Sequence, residues 1–255
     1  MVRRAAAAGM TVLALTDHDT VGGMGAAASA LPEAITLVPG MELSCRRAGR
    51  SVHMLAYLFD PDHSELAAEC AAIRRSRVDR ARQMVDKLIA LDVPVTWEQV
   101  RLIAGDGVLG RPHVARAMIE AGVVNSVTEA FTERWIGPGG PAYVPRYALD
   151  PARAVGLVRA AGGVTVLAHP LVASRGAQLS EALIAELAAA GLVGIEVAHP
   201  DQDRAQRARL SELAGELGLV RTGGSDDHGA LTGDRIGCEW TGESALEQLL
   251  ATATG

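Results

Sequence analysis

Asp17, His18 and Asp19 stand in a row directly behind the apolar run Val12–Leu15. A short β-branched and apolar run of this kind suits a buried parallel strand, and such strands end at the mouth of an α/β fold, where ligand and catalytic groups collect. Read structurally, the same stretch is a solvated turn in which Asp19 or Thr20 caps the next helix. The rest of the chain favours chemistry, because the pattern recurs. Glu42, His53, His169, Glu196 and His199, and then Asp226, Asp227 and His228, all end or border apolar runs. One histidine in such a place is ordinarily a packed or capping residue. Several on successive strands, mixed with carboxylates, require another explanation, since buried ionisable groups cost several kcal/mol unless paired or metal-bound. Imidazole with carboxylate and without thiolate suits Zn²⁺, Mn²⁺ or Fe²⁺, and such a set can hold more than one ion. Closely spaced ions favour phosphoester hydrolysis, because they acidify a bridging water and neutralise charge on the phosphoryl oxygens.

The elements that would position these groups follow a strand–helix rhythm. From Met1 to about Tyr57 the pattern reads helix, strand, helix, strand, strand, with a first helix stopping at Gly9, strand residues at Ile35–Val38 and again at Glu42–Ser44, and "SVHMLAYLF" after a short basic turn. The C-terminal part alternates more regularly: "PARAVGLVRAAGG", "VTVLAHP", "SEALIAELAAAG" with Ser180 as cap, "VGIEVAHP", "RAQRARLSELAGELG" and "LVRTGGSDDHG". Strands alternating with helices of this length imply a parallel sheet or an α/β barrel. Between them, from His63 to about Trp135, only helical periodicity is found: a long basic helix, then "TWEQVRLIAG", "RPHVARAMIEAG" and "VTEAFTERWIG". The Gly/Pro-rich "GPGGPAYVP" closes this stretch as a loop. The division expected is a discontinuous barrel over 1–62 and 146–255 with a helical insertion domain over 63–145.

Composition narrows the function. The 255 residues suffice for one large core or a core with a small satellite. A formal net charge of −6 and only 3% aromatic residues argue against a duplex-DNA surface and against stacking platforms for single strands. Small anionic substrates held by a few arginines or by metal ions fit this balance. Cys45, Cys70 and Cys238 are far apart and form no CxxC pair, so they read as small buried hydrophobes in a reducing cytoplasm. No apolar run has the length of a membrane span, and the N-terminus does not read as a signal peptide.

"TDHDT", "GMELS", "VHML", "AHP" and "GSDDHG", in this order, resemble the PHP (polymerase and histidinol phosphatase) family of metal-dependent phosphoesterases. "GRPHVARAM", "AYVPRY" and "GIEVAHPDQD" resemble its branch of 3′,5′-nucleoside bisphosphate phosphatases, nucleotide phosphatases and enzymes that degrade short RNA from the 5′ end. The resemblance spans nearly the whole chain. It implies an α/β fold, an irregular (β/α)7 TIM-like barrel with a helical insertion domain and a metal site at the C-terminal ends of the strands. Residue by residue, it makes His18, Glu42 (as a bridging carboxylate), His53, His169, Asp226 and His228 metal ligands. It implies divalent ions, Mn²⁺ foremost with Zn²⁺, Fe²⁺ or Mg²⁺ as alternatives, up to three per site. His228 lies two residues beyond Asp226, so in an extended strand end both would point to one side. The family begins with a strand carrying His-x-His and an acidic ligand a few residues later. This sequence opens inside the helix that follows, so the expected barrel lacks its first strand, and either the natural protein starts upstream of Met1 or the chain is a non-catalytic metal-binding relative.

The chemistry implied is attack of a metal-activated hydroxide on a phosphomonoester of a nucleotide, a 3′,5′-nucleoside bisphosphate above all, with an exonuclease on short RNA or DNA as the alternative. Asp17 and Asp19 are candidates for orienting ligands or handling a proton, with helix capping as the structural reading. Arg111 and His113 of "GRPH", Arg146 of "YVPRY" and His199 of "VAHP" are candidates for the substrate's phosphates, since a guanidinium pairs with two oxygens and a helix start offers free N–H groups. A surface ion pair or a capped strand end would equally explain Arg146 and His199. His63 reads as a helix-start residue, and the run Arg74, Arg75, Arg77, Arg80 and Arg82 as a solvated face.

Overall fold

The computed structural model describes residues 1–105, 109–145, 147–172, 178–229 and 232–253. They form two compact units, one of Met1–Cys70 with Ala148–Gly255 and one of Ala71–Tyr147.

The first unit is built on a six-stranded sheet whose spatial order is its sequence order: β1 (Val12–Leu15), β2 (Thr36–Arg47), β3 (Arg50–Tyr57), β4 (Val164–Leu167), β5 (Gly194–Ala198) and β6 (Val220–Gly223). β1 runs parallel to β2, and β4, β5 and β6 are mutually parallel. β3 is antiparallel to both its neighbours, because the two-residue turn after β2 returns the chain along the same sheet. The result is an incomplete, irregular TIM-like barrel. The segments expected as separate strands around Val38 and Glu42 are one twelve-residue strand. Its first half pairs with β1 through Pro39 and its second half pairs with β3 from Gly40 onward, so the Pro-Gly pair changes the strand's partner without breaking it. Leu43, Met54, Val166, Leu167 and Ile195 are completely buried, whereas all four residues of β1, expected as a buried strand, are half-buried.

Helices fill the connections: α1 (Val2–Ala7), α2 (Met24–Ser29), the start of α3 (Ser64–Ile89), α7 (Pro151–Ala160), α8 (Glu181–Ala189), α9 (Arg204–Leu217) and α10 (Glu243–Ala253). Their ends are specified locally. Asp150 accepts the N–H of Ala152 ahead of Pro151, Ser180 accepts that of Leu183, and Asp203 with Gln206 forms a reciprocal capping box. No described helix is long and apolar enough to cross a membrane.

The second unit continues α3 and adds α4 (Trp97–Ala104), α5 (Arg111–Glu120) and α6 (Val127–Ala130). Met84, Leu88, Val100, Val114, Met118 and Ile136 form its own fully buried core. The helix expected through "VTEAFTERWIG" stops after four residues. The chain folds back so tightly that a Cβ on Gly137 would stand 2.0 Å from the Phe131 carbonyl oxygen, so the glycine permits the turn that ends the helix.

Candidate metal centre

Strand register brings the polar groups together. In β2, Glu42 and Ser44 share a face, and Ser44 pairs with His53 of β3, which sets Glu42 diagonally beside the imidazole. The chain leaving β1 continues along β2: Glu42 N–H donates to the Asp17 carbonyl at 3.1 Å, and Asp19 N–H donates to the Glu42 carbonyl at 3.0 Å. His18 is thereby bridged directly to Glu42. Beyond β4, Ala168 N–H donates to the His53 carbonyl, and His169 follows with a φ of 27°, a turn that directs its side chain back to Glu42.

Glu42 is 6% exposed and is faced by three imidazoles. Its Oε1 lies 2.6 Å from His53 Nδ1 and 3.3 Å from His169 Nε2, and its Oε2 lies 3.6 Å from His18 Nδ1. Ring centroids step from His18 to His53 at 5.2 Å, to His169 at 5.2 Å, and to His199 at 5.3 Å, while His18 and His228 are 6.0 Å apart. Burial opposes ionisation of Glu42, but the His53 and His18 charges and the hydrogen bonds from His169 and His53 outweigh it and hold the carboxyl well below its usual range. Burial likewise opposes charge on His169, yet the hydrogen bond and charge of Glu42, with Glu196 and Asp226 behind them, raise its pKa. Glu196 behaves differently. Burial drives its carboxyl up to about 8, with Glu42 and Asp226 reinforcing the shift against the pull of His169.

Asp226 and His228 adjoin this group, though not by the alternation of an extended strand. β6 ends at Gly223, and Asp226 has a φ of 45°, so the chain turns there. The turn places His228 Nδ1 3.1 Å from the Asp226 carbonyl oxygen and 3.3 Å from Oδ1. Fully buried His199 reaches the same carboxylate, with Nε2 3.4 Å from Asp226 Oδ2.

The remaining candidates stand elsewhere. Asp19 is fully buried and its Oδ1 accepts the Ser44 N–H at 2.7 Å, which pins the β1 end to β2. Neither it nor Thr20 caps a helix: α2 starts at Met24 behind Gly23, and Thr20 Oγ1 accepts the Gly22 N–H. The Asp17 carboxylate lies over Gly23, where an added Cβ would stand 2.6 Å from Oδ2. Asp227 is bound by Arg4 of α1 and by the N–H groups of Gly229 and Arg235, which carry its carboxyl down to about 2 against the opposing effect of burial. In the second unit, the Arg111 guanidinium stacks 4.7 Å from the Phe131 ring centre, and His113 Nδ1 accepts the Gly110 N–H at 3.0 Å. Arg146 lies outside the described residues. Sequence reading assigned no role to Glu196, whose Oε2 accepts the His169 N–H at 2.9 Å, or to Asp201 and Gln202. The apolar-then-acidic pattern of "GIEVAHPDQD" marked the place without distinguishing its members.

Among the described residues, two sets offer donors compact enough for a cation: His18, Glu42 and His53, and His199, Asp201 and Asp226, each with one donor atom per residue within 4.8 Å of the others. The first of these, two imidazoles around the ionised Glu42 carboxylate inside the protein, fits a divalent transition metal.

No family model matches the chain. Among curated proteins it is 35% identical to a 5′-3′ exoribonuclease of Haemophilus influenzae, over 89% of this chain and 83% of that protein. It is also 35% identical to a 3′,5′-nucleoside bisphosphate phosphatase of Chromobacterium violaceum, over 92% of this chain and 83% of that one. Among solved structures, one from Bifidobacterium adolescentis described as a metal-dependent phosphoesterase superposes with a TM-score of 0.86 at 32% identity, covering 98% of this chain and 89% of that one. The imidazole–carboxylate cluster and these likenesses lead to one conclusion: the chain belongs to the PHP family of metal-dependent phosphoesterases and is a hydrolase.

Proposed function

We propose that the chain hydrolyses phosphomonoesters of nucleotides, with a 3′,5′-nucleoside bisphosphate as substrate and Mn²⁺ as the physiological ion. The observation that carries this reading is Glu42, a buried carboxylate kept ionised by His18, His53 and His169. The 35% identity to the Chromobacterium violaceum phosphatase supports the choice of substrate. In this reading His18, Glu42, His53, His169, Asp226 and His228 hold divalent cations. Cations bound there would supply Lewis acidity, activating water and neutralising phosphoryl charge.

The protein's own part is to hold these donors still. Asp19 ties the His18 segment to β2, and Glu196 braces the backbone at His169 by accepting its N–H. Asp17 is the remaining candidate for handling a proton. Arg111, His113 and Arg146 are proposed to take the nucleotide's phosphates, Arg111 through its planar fork. We assign the barrel to 1–62 with 146–255 and the insertion to 63–145. A cytoplasmic setting belongs to the same proposal, argued from three scattered cysteines that form no CxxC pair in the sequence.

The test is phosphate release from a 3′,5′-nucleoside bisphosphate in Mn²⁺, with His169→Ala as control. Release that depends on His169 supports the proposal, and equal release by the variant refutes the site. A second reading, an exonuclease on short RNA, is favoured by the 35% identity to the Haemophilus influenzae exoribonuclease. Turnover that rises with chain length from bisphosphate to oligonucleotide would decide for it.

A further inference from the structure

Fully buried His199 stands just beyond β5, and its hydrogen bonds decide what it can do at Asp226. The backbone N–H of Asp201 donates to His199 Nδ1 at 3.1 Å. A ring nitrogen that accepts an N–H carries no proton, so the neutral imidazole bears its proton on Nε2. That nitrogen is then a donor with no lone pair to offer a cation. It is buried, and the acceptor it faces is Asp226 Oδ2 at 3.4 Å, a contact that a small shift of the carboxylate would turn into a hydrogen bond.

The backbone that carries the ring is held as well. Gln202 N–H and Arg207 Nη2 both donate to the His199 carbonyl, at 3.1 and 2.6 Å. The Gln202 amide donates in turn to the carbonyls of Glu196 and Val197, and Arg207 pairs with Glu239. The neighbouring Asp201 carboxylate pairs with Arg235. His228, on the other side of Asp226, has the opposite arrangement. Its Nδ1 lies 3.1 Å from the Asp226 carbonyl oxygen, which can only accept, so Nδ1 is the protonated nitrogen and Nε2 keeps its lone pair. Two histidines thus flank one carboxylate in different tautomers, one suited to ligate and one suited to donate.

We propose that His199 is a positioning residue whose Nε2–H orients the Asp226 carboxylate, and that it is neither a metal ligand nor a contact to substrate. The inference rests on the reading of Asp226 as a metal ligand. Long-range ¹H–¹⁵N correlation on the full chain reads the tautomer directly, with His199→Gln assigning the signal. The expected result is a neutral Nε2–H ring at His199 that keeps this tautomer when Zn²⁺ is added. An Nδ1–H ring, or a Zn²⁺-coordinated Nε2, overturns the proposal. Calorimetric titration with Mn²⁺ supplies the second arm. His199→Ala is expected to weaken binding about 10–100-fold, the range for a residue that orients a ligand, and His199→Gln, whose amide can still donate, to recover most of it. Equal losses in both variants contradict donation, and unchanged Mn²⁺ affinity with a raised KM would make His199 a substrate contact. Asp226→Asn separates the two levels: if it binds Mn²⁺ as the unmodified chain does, the reading of Asp226 fails and the inference with it. If Asp226→Asn loses Mn²⁺ while His199→Ala does not, the inference alone fails.

Discussion

Glu42 and Glu196 are carboxylates of one sheet, 6% and 4% exposed, and they ionise in opposite ways. Burial pushes both toward the neutral acid. Glu42 faces His18, His53 and His169, and their charges and hydrogen bonds reverse the effect of burial. Glu196 receives the backbone N–H and the charge of His169, and it lies within reach of two other carboxylates, so with its burial its carboxyl rises to about 8. Equal burial therefore says nothing about role. The side chains facing a carboxylate decide whether it becomes an anionic ligand or a neutral prop.

Breaking the Glu42 side should have the largest effects. His169→Ala is expected to lower Mn²⁺-dependent phosphate release by more than the roughly 10–100-fold typical of residues that only orient ligands. An initial-rate assay with a folding check by circular dichroism measures it, and a loss smaller than tenfold would count against a ligand role. In the chelator-treated protein, Glu42→Gln removes the buried carboxylate that His169 faces and should cost about 1–3 kcal/mol, read as a shift of the urea midpoint. Because the native pKa of Glu42 is depressed, its contribution is present above the ordinary carboxylate range. It is lost as pH falls through the lower native value, so the gap between variant and parent should close in strong acid.

Glu196 should show the opposite sign. Its carboxyl is raised from 4.5 to about 8, so between those values the native state holds a proton that the unfolded chain has released. The metal-free protein should therefore lose stability as pH rises through this window, by up to about 1.4 kcal/mol per pH unit. Glu196→Gln should flatten that slope in a pH series of urea midpoints, and an unchanged slope would place the titration elsewhere. The smallest contrast is at Asp19. Asp19→Ala removes the acceptor of the buried Ser44 N–H and should cost about 1–3 kcal/mol. Asp19→Asn keeps an acceptor and tolerates the φ of 56°, so its thermal midpoint should stay close to that of the parent.

The convergence of His18, Glu42, His53 and His169 is legible in the sequence, because ionisable residues recur beside successive apolar runs. What the sequence hid were partner and direction. Nothing in "ITLVPGMELS" distinguishes two strands from one, since a Pro-Gly pair signals a break and here marks a change of neighbour. The antiparallel setting of β3 follows from a two-residue turn whose consequence appears only in the register. Asp226 and His228 sit two apart, but a left-handed Asp226 rather than strand alternation joins them. Asp19 suits a cap, a proton handler or a group that orients ligands, and only the structure shows its carboxylate accepting from a neighbouring strand's backbone. The tautomer of His199 depends on a backbone N–H two residues on, which composition and spacing do not encode.

The central claim is that Glu42, ionised among three imidazoles, is the anchor for a divalent cation. Titrating Mn²⁺ into the metal-free chain, followed by the loss of the free-ion electron paramagnetic resonance signal, tests it without any substrate. The account predicts saturable binding by the parent chain and affinity at least about 100-fold weaker in Glu42→Gln, beyond the loss expected of an orienting residue. Superimposable binding curves for the two proteins would contradict it.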